Sequence, residues 1–370
     1  MKTVGDVLDS MTVKGELYEA QEDSSVRCYA CGHRCLIRDG RRGICQIRFN
    51  KGGELFVPWG YVAALQADPI EKKPFFHVFP GADALTFGML GCDFHCEYCQ
   101  NHLSSQAMRD PDSDAALAFV RRVSPEQVVA AARRSGAEII ASSYNEPLIT
   151  SEWAASIFRL AQDHAIKCVY VSNGNATPEV LDFLRPYMVG FKVDLKTMQD
   201  RQYRRFGGVL KNVLDSIRLA HDLGFWVEVV TLVVNGFNDS TEELMDSARF
   251  LSSISPDIPW HVTAFHPDYK MTEPPPTSVK TLLRAAEIGQ EAGLNYVYAG
   301  NIPGRMGEYE NTFCPKCRTT LVERYSYVVQ CYNLTSQGAC PKCGYSVAGI
   351  WTDQPEKVRL GGLGMPRPAF

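Results

Sequence analysis

Long apolar runs are missing from this sequence. No stretch approaches the roughly 18 uninterrupted apolar residues of a membrane span. The opening MKTVGDVLDSMTVKGELYEA carries no apolar core of secretory length. Neither a membrane protein nor a secreted one is expected. Charge of one sign is scarce too: 38 Lys and Arg stand against 42 Asp and Glu, a formal net charge of −4. That balance argues against a surface built to coat nucleic acid or membrane, while leaving room for a local basic pocket. There is no low-complexity tract and no long internal repeat. With 370 residues, 45% hydrophobic and 22% charged, the chain suits one sizeable catalytic domain with small appendages.

Cysteine, by contrast, is abundant, with 13 residues, and its placement is informative. Twelve fall in three clusters and only Cys168, at the start of a β-rich run, stands alone, as a core thiol would. In a chain without a secretory segment the expected setting is the reducing cytoplasm, where clustered cysteines mean metal more often than disulfides.

Between residues 82 and 307, short β-rich runs alternate with amphipathic helical runs. Strands are expected at 84–90, 138–142, 167–172, 190–195, 225–234, 261–265 and 296–300. SPEQVVAAARRSG reads as a helix capped by Ser124, with Glu126 and Gln127 in its first turn. Three further helical runs begin at EPLITSEW, TPEVLDFL and TEELMDSA. Such alternation predicts an α/β fold, a full or partial parallel (β/α) barrel with right-handed crossovers. Residues 1–81 form a cysteine-rich N-terminal segment, expected to be dominated by loops. Residues 308–370 read as a separate ribbon resembling zinc-ribbon and rubredoxin-like domains.

GCDFHCEYCQN follows the first barrel strand and sets Cys92, Cys96 and Cys99 in a C-x3-C-x2-C pattern. Four thiolates would saturate the irons of a cubane, whereas three leave one iron open. An open coordination position separates a catalytic metal site from a closed structural one. An amino acid can chelate such an iron through its amino and carboxylate groups. The competing readings are a zinc knuckle or a purely electron-transferring cluster. Position favours catalysis, because parallel β/α folds work at strand C-termini.

The motif resembles that of the radical S-adenosylmethionine (SAM) superfamily. Within it, the chain is similar to pyruvate-formate-lyase-activating enzymes and, more narrowly, to AmmeMemoRadiSam-system radical SAM enzymes. The likeness extends over nearly the whole chain, including DPIEKKPFFHVFPG, YNEP and both flanking cysteine sets. It implies a [4Fe-4S] cluster on Cys92, Cys96 and Cys99, with SAM as cofactor. Tyr98 takes the aromatic place that contacts adenine. Asn145 and Glu146 occupy the place of a Gly-Gly-Glu motif that meets the SAM amino group, here without its glycines. Ser172, Asn173 and Gly174 end the third strand where the ribose or carboxylate is contacted. Asp194 and Lys196 of DLK share a strand face, with Lys196 beside the SAM carboxylate. Val233 and Val234 would wall the adenine, and His266 would face the nucleoside. Taken singly, DLK is also an ordinary ion pair, Ser-Asn-Gly a turn and His266 a loop histidine.

Cys314, Cys317, Cys340 and Cys343 form two C-x2-C knuckles 22 residues apart, suited to structural zinc. Cys331 between them is expected to be a buried thiol. Cys28, Cys31, Cys35 and Cys45 suit zinc or an iron–sulfur cluster, with zinc preferred as a staple for a small segment. By resemblance, a flavodoxin or ferredoxin would supply electrons, Memo-like and AMMECR-like proteins are possible partners, and the substrate is unassigned. Activation of a glycyl-radical enzyme is the alternative activity. A non-catalytic metal or electron-transfer module is the alternative class.

Overall fold

The β-rich runs become seven parallel strands lying side by side in chain order, with a helix in each crossover. The computed structural model describes residues 3–110, 114–362 and 364–369. Its strands are β1 (Asp83–Gly88), β2 (Ile139–Ser142), β3 (Lys167–Ser172), β4 (Gly190–Asp194), β5 (Trp226–Val233), β6 (Trp260–Ala264) and β7 (Val297–Gly300). The crossover helices are α1 (Pro125–Ser135), α2 (Ser151–Gln162), α3 (Pro178–Leu184), α4 (Leu210–Asp222), α5 (Thr241–Ile254) and α6 (Val279–Glu291). β1 and β2 are buried at every position, as strands covered on both faces must be. α1 begins with the expected cap: Ser124 accepts from the Gln127 amide while the Gln127 side chain reaches back to Ser124. It ends at Gly136, whose φ of 71° is a left-handed stop.

The sheet does not close. Among the described residues β7 pairs only with β6, and the opposite edge is extended by antiparallel strands at Ala64–Pro69 and Arg367–Pro368. The fold is a partial barrel whose outermost strands on that side come from the two flanking segments.

The N-terminal segment departs from the loop-dominated expectation. Tyr18–Ala20, Val26–Cys28 and Leu36–Ile37 form one small antiparallel sheet, while Thr12–Lys14, Phe49–Lys51 and Glu54–Pro58 form another. The reason is legible in ELFVP, where Leu55 and Val57 are buried and Glu54 is exposed, a half-buried strand's alternation. Arg48, itself fully buried, clamps this segment to α2 through Glu152, with both Nη–O distances 2.7 Å. Breaking such a buried pair from one side typically costs about 3–5 kcal/mol.

The C-terminal segment folds as an antiparallel sheet of Thr312–Phe313, Thr320–Tyr325 and Val328–Tyr332. It is fastened to the segment before the barrel by buried Arg324. That guanidinium donates to Thr312 Oγ1 at 2.9 Å and to the Phe76 carbonyl at 2.7 Å. It also lies over the Phe76 ring, 4.3 Å from its centroid.

Candidate active site

After β1 the chain turns at Gly91, φ 96°, into the loop of Cys92, Cys96 and Cys99. A Cβ at Gly91 would lie 2.9 Å from Ile47, so glycine lets the loop pass beneath the N-terminal segment. All three cysteines line one cavity of about 420 Å³ at the C-terminal ends of the strands. No fourth cysteine among the described residues lines it. Burial pushes the three thiols up, Cys96 to about 12, so they ionise only against a cationic centre. The Phe94 amide donates to Cys92 Sγ at 3.4 Å, and Ser105 Oγ lies 3.2 Å from Cys99 Sγ. Three closed-in thiols beside open cavity space fit a cluster with one iron left free.

The loop after β2 supplies the facing wall. Glu146 is buried, and its carboxylate accepts from Ser172 Oγ at 2.7 Å, the Asn173 amide at 2.7 Å and the Leu148 amide at 3.1 Å. Asn145 Oδ1 accepts from the Met89 amide at 2.9 Å, tying this loop to the end of β1. Tyr144 has the left-handed φ of 71° that a glycine would favour, so the turn survives without the glycines. Its hydroxyl is held 3.1 Å from both Lys73 Nζ and Asp68 Oδ2. A Cβ on Gly88 would fall 2.9 Å from Tyr144 Cβ, and glycine there admits the close approach.

β4 and the residues after it form the third wall. Asp194 accepts from Lys192, and Lys196 Nζ lies 3.6 Å from Asp194 Oδ2. Although the surroundings desolvate Asp194, Lys192 and Lys196 hold its carboxyl below the ordinary value. Desolvation opposes the charge on Lys196 as well. Cys96, Tyr98 and Asp194 around it outweigh that effect and keep it above its usual range. Lys196 Nζ lies 5.9 Å from the centre of the Tyr98 ring, which packs edge-on against Phe206 at 5.2 Å. Tyr98, Asn145, Glu146, Ser172, Asn173, Asp194 and Lys196 thus line the same cavity as the cysteines.

Four expected residues do not: Gly174, at φ 77°, turns behind the cavity, and Val233, Val234 and His266 lie outside its lining. Val234 is fully buried outside the lining, its amide bound to Asn238 Oδ1 at 2.7 Å. Strand alternation presents Val230 and Leu232 to the cavity and turns Val233 into the core, and Val234 has already left β5. His266 is exposed and lies 2.8 Å from Gln100 Nε2, so it touches the cavity wall only through Gln100. Sequence reasoning missed Asp93 and Lys192. Asp93 is fully buried, accepting from Asn173 at 2.7 Å and Asn175 at 2.8 Å. Lys192 follows from the period-two logic of Asp194 and Lys196 carried one step back. The far wall, with Glu71, Lys73, Tyr298 and Tyr327, draws on both flanking segments, and no local motif marks it.

In the ribbon, Cys314, Cys317, Cys340 and Cys343 bring their sulfurs mutually within 4.8 Å. Cys314–Cys343 and Cys317–Cys340 are each 3.6 Å apart. Zn–S bonds near 2.3 Å in a tetrahedron require an edge of about 3.8 Å, so this set fits zinc. Cys331 is half-buried rather than buried, because its strand lies at the edge of the small sheet. Cys168 is buried as expected. No helix among the described residues is long and apolar enough to cross a membrane.

The family model described as the radical SAM superfamily matches residues 87–251. An uncharacterized protein of Methanocaldococcus jannaschii is 36% identical over 333 residues, covering 89% of this chain and 97% of that protein. Among solved structures, a domain of pyruvate-formate lyase-activating enzyme from Bacteroides vulgatus is 20% identical. It covers 44% of this chain and 98% of its own, with a TM-score of 0.39. A radical SAM methyltransferase from Sphaerobacter thermophilus is 17% identical over 60% of this chain and 68% of its own, with a TM-score of 0.45.

Proposed function

The chain belongs to the radical SAM superfamily, and on that footing we propose that Cys92, Cys96 and Cys99 hold a [4Fe-4S] cluster with which it cleaves SAM to activate a substrate. The observation that carries this is the shared cavity: three thiols, the Glu146 carboxylate and the Lys196 ammonium face one space of about 420 Å³. What the cluster and SAM supply when bound is reductive cleavage to methionine and a 5′-deoxyadenosyl radical able to take hydrogen from a substrate.

The protein's own residues bind and orient. Glu146 would accept hydrogen bonds from the SAM amino group, and Lys196 would neutralise its carboxylate. Asp194, itself held by Lys192, fixes Lys196 in place. Ser172 and the Asn173 amide keep Glu146 aimed, and Tyr98 walls the adenine with Leu232. Asp93 locks the Asn173 side chain behind them. The far wall, with Lys73, Tyr298 and Tyr327, excludes water and suits a polar substrate. A flavodoxin or ferredoxin supplies the electron, zinc sits in the ribbon, and Memo-like and AMMECR-like proteins are the partners that the AmmeMemoRadiSam resemblance suggests.

Two predictions test the SAM assignments. Replacing Asp194 or Lys196 by Ala removes a charge-assisted contact, about 1.5–3 kcal/mol or roughly 10- to 100-fold in SAM affinity. The iron content of the central site stays unchanged. Wild-type binding and cleavage under dithionite in both variants would reduce the group to an ordinary ion pair. The second concerns pH. Burial, with Asp93 nearby, raises the Glu146 carboxyl to about 8. Below that value the carboxyl carries a proton and is a weaker acceptor for the SAM amino group. SAM affinity therefore rises with pH toward 8, by at most about tenfold per unit. Titration of the cluster-loaded protein with SAM between pH 6 and 9 checks this, and Glu146→Gln should flatten the profile.

A further inference from the structure

Four thiols outside the cavity are not used by this reading, yet they lie directly behind its cysteine loop. Cys28 ends the strand Val26–Cys28, Cys31 and Cys35 sit in the following turn, and Cys45 precedes Phe49–Lys51. Cys28, Cys31 and Cys45 are buried, Cys35 is half-buried, and all four are free. The Ile44 amide donates to Cys35 Sγ at 3.5 Å, and the amides of His33 near Cys31 and of Ile47 and Arg48 near Cys45 favour charge on those sulfurs. Left-handed φ angles at Arg34 (44°) and Gln46 (66°) turn the chain around the thiols. Arg48 is fully buried beside Cys28 and Cys45, and its Nε has no acceptor among the described residues. Amides beside three of the sulfurs and a buried guanidinium beside two suit a thiolate set built for a metal centre.

Spacing distinguishes which centre. The ribbon is the only set among the described residues that gathers three or more ligand atoms within 4.8 Å of one another. No three of the N-terminal sulfurs therefore surround a single ion, and neither do those of Cys92, Cys96 and Cys99. In a cubane each thiolate binds a different iron, which holds the sulfurs farther apart than around one zinc. In this one respect the N-terminal set matches the catalytic one: neither gathers three sulfurs within 4.8 Å of one another.

The two sets also meet. Asp93, next to Cys92, has Oδ2 3.9 Å from Nε2 of His33, which lies between Cys31 and Cys35. The Gly32 amide donates to the Asn175 carbonyl at 2.8 Å. A Cβ at Gly32 would fall 2.3 Å from Asn175 Oδ1, so glycine permits this contact. We propose that Cys28, Cys31, Cys35 and Cys45 hold a second [4Fe-4S] cluster, closed by four thiolates and packed behind the SAM-binding loop, where it is electronically coupled to the first. The metal assignment stands apart from the proposed function, and only the coupling rests on it.

The test is metal analysis and electron paramagnetic resonance of the anaerobically reconstituted full chain. The wild type should bind about eight irons and about one zinc. When reduced, it should show two interacting spins per chain. Combined replacement of Cys92, Cys96 and Cys99 by Ala should leave about four irons, with a spectrum that SAM does not perturb. Replacing Cys31 and Cys45 by Ala should also leave about four, with a spectrum that SAM does perturb. About four irons and two zincs in the wild type, with one spin per chain, would make the N-terminal set a zinc site and overturn the proposal without the use of any variant. Retained iron in the triple variant supports the second cluster whether or not the protein cleaves SAM.

Discussion

Protein with Cys96 replaced by Ala will release no 5′-deoxyadenosine from SAM, and the same is expected for Cys92 and Cys99. Each of the three lines the cavity and burial raises each thiol. Each ionises because the cluster is there, and the cluster stays because all three ligate it. The nearest alternative donors are poor replacements. Asp93 is held by two asparagines, and Ser105 Oγ already lies 3.2 Å from Cys99 Sγ. Loss of a ligand removes iron from the central site. Turnover then falls to the uncatalysed level, a drop on the order of 10⁶-fold or more. Anaerobic chromatography of the reaction mixture, with iron counted on the same sample, reads both effects. Cleavage retained in any one variant would break the link between this loop and the chemistry.

The other large effect belongs to the ribbon. Replacing Cys340 by Ser should lose about one zinc and unfold much of the chain beyond 308, since structural zinc contributes on the order of 10 kcal/mol to a small domain. That domain's own core is small: Leu321, Val322, Val329, Leu334 and Val347 pack around the buried cysteines. The barrel should keep its cluster and its uncoupled SAM cleavage, because among the described residues the three central thiols bond only within their own loop, to Asp93, Phe94 and Ser105. Coupling to substrate should suffer, since Tyr327 lines the far wall and Arg324 fastens the ribbon to Phe76 beside it. Elemental analysis, limited proteolysis and the ratio of product to deoxyadenosine read these separately. Iron and sulfide found there in place of zinc would turn the scaffold into an auxiliary cluster domain.

The barrel was readable because its strands are short, largely buried and separated by amphipathic helices, four of the six with a side-chain cap. Expected and observed strand ends agree to within two residues from β1 to β7. Helices α4 and α6 went unread: both carry apolar stripes mixed with charge, and the Ser278 cap that opens α6 was not recognised. The near wall of the site was legible for a different reason. Its residues sit at strand ends in a fixed order, and period two places Asp194 correctly. The same rule misleads at Val234, where β5 ends one residue earlier and the chain turns inward onto Asn238. His266 fails because a proline follows it and the loop carries it out to solvent. Asp93 lay inside the motif, but only the fold brings Asn173 and Asn175 to it. The far wall is assembled from residues some 250 positions apart in the chain, such as Glu71 and Tyr327, and no local pattern encodes that meeting.

The central claim is that this cavity cleaves SAM reductively. It is tested most directly by incubating the reconstituted wild-type protein with SAM and dithionite under anaerobic conditions and measuring 5′-deoxyadenosine and methionine together. The account predicts both products in equal amounts, dependent on reductant. An intact central cluster that binds SAM and yields neither would contradict it.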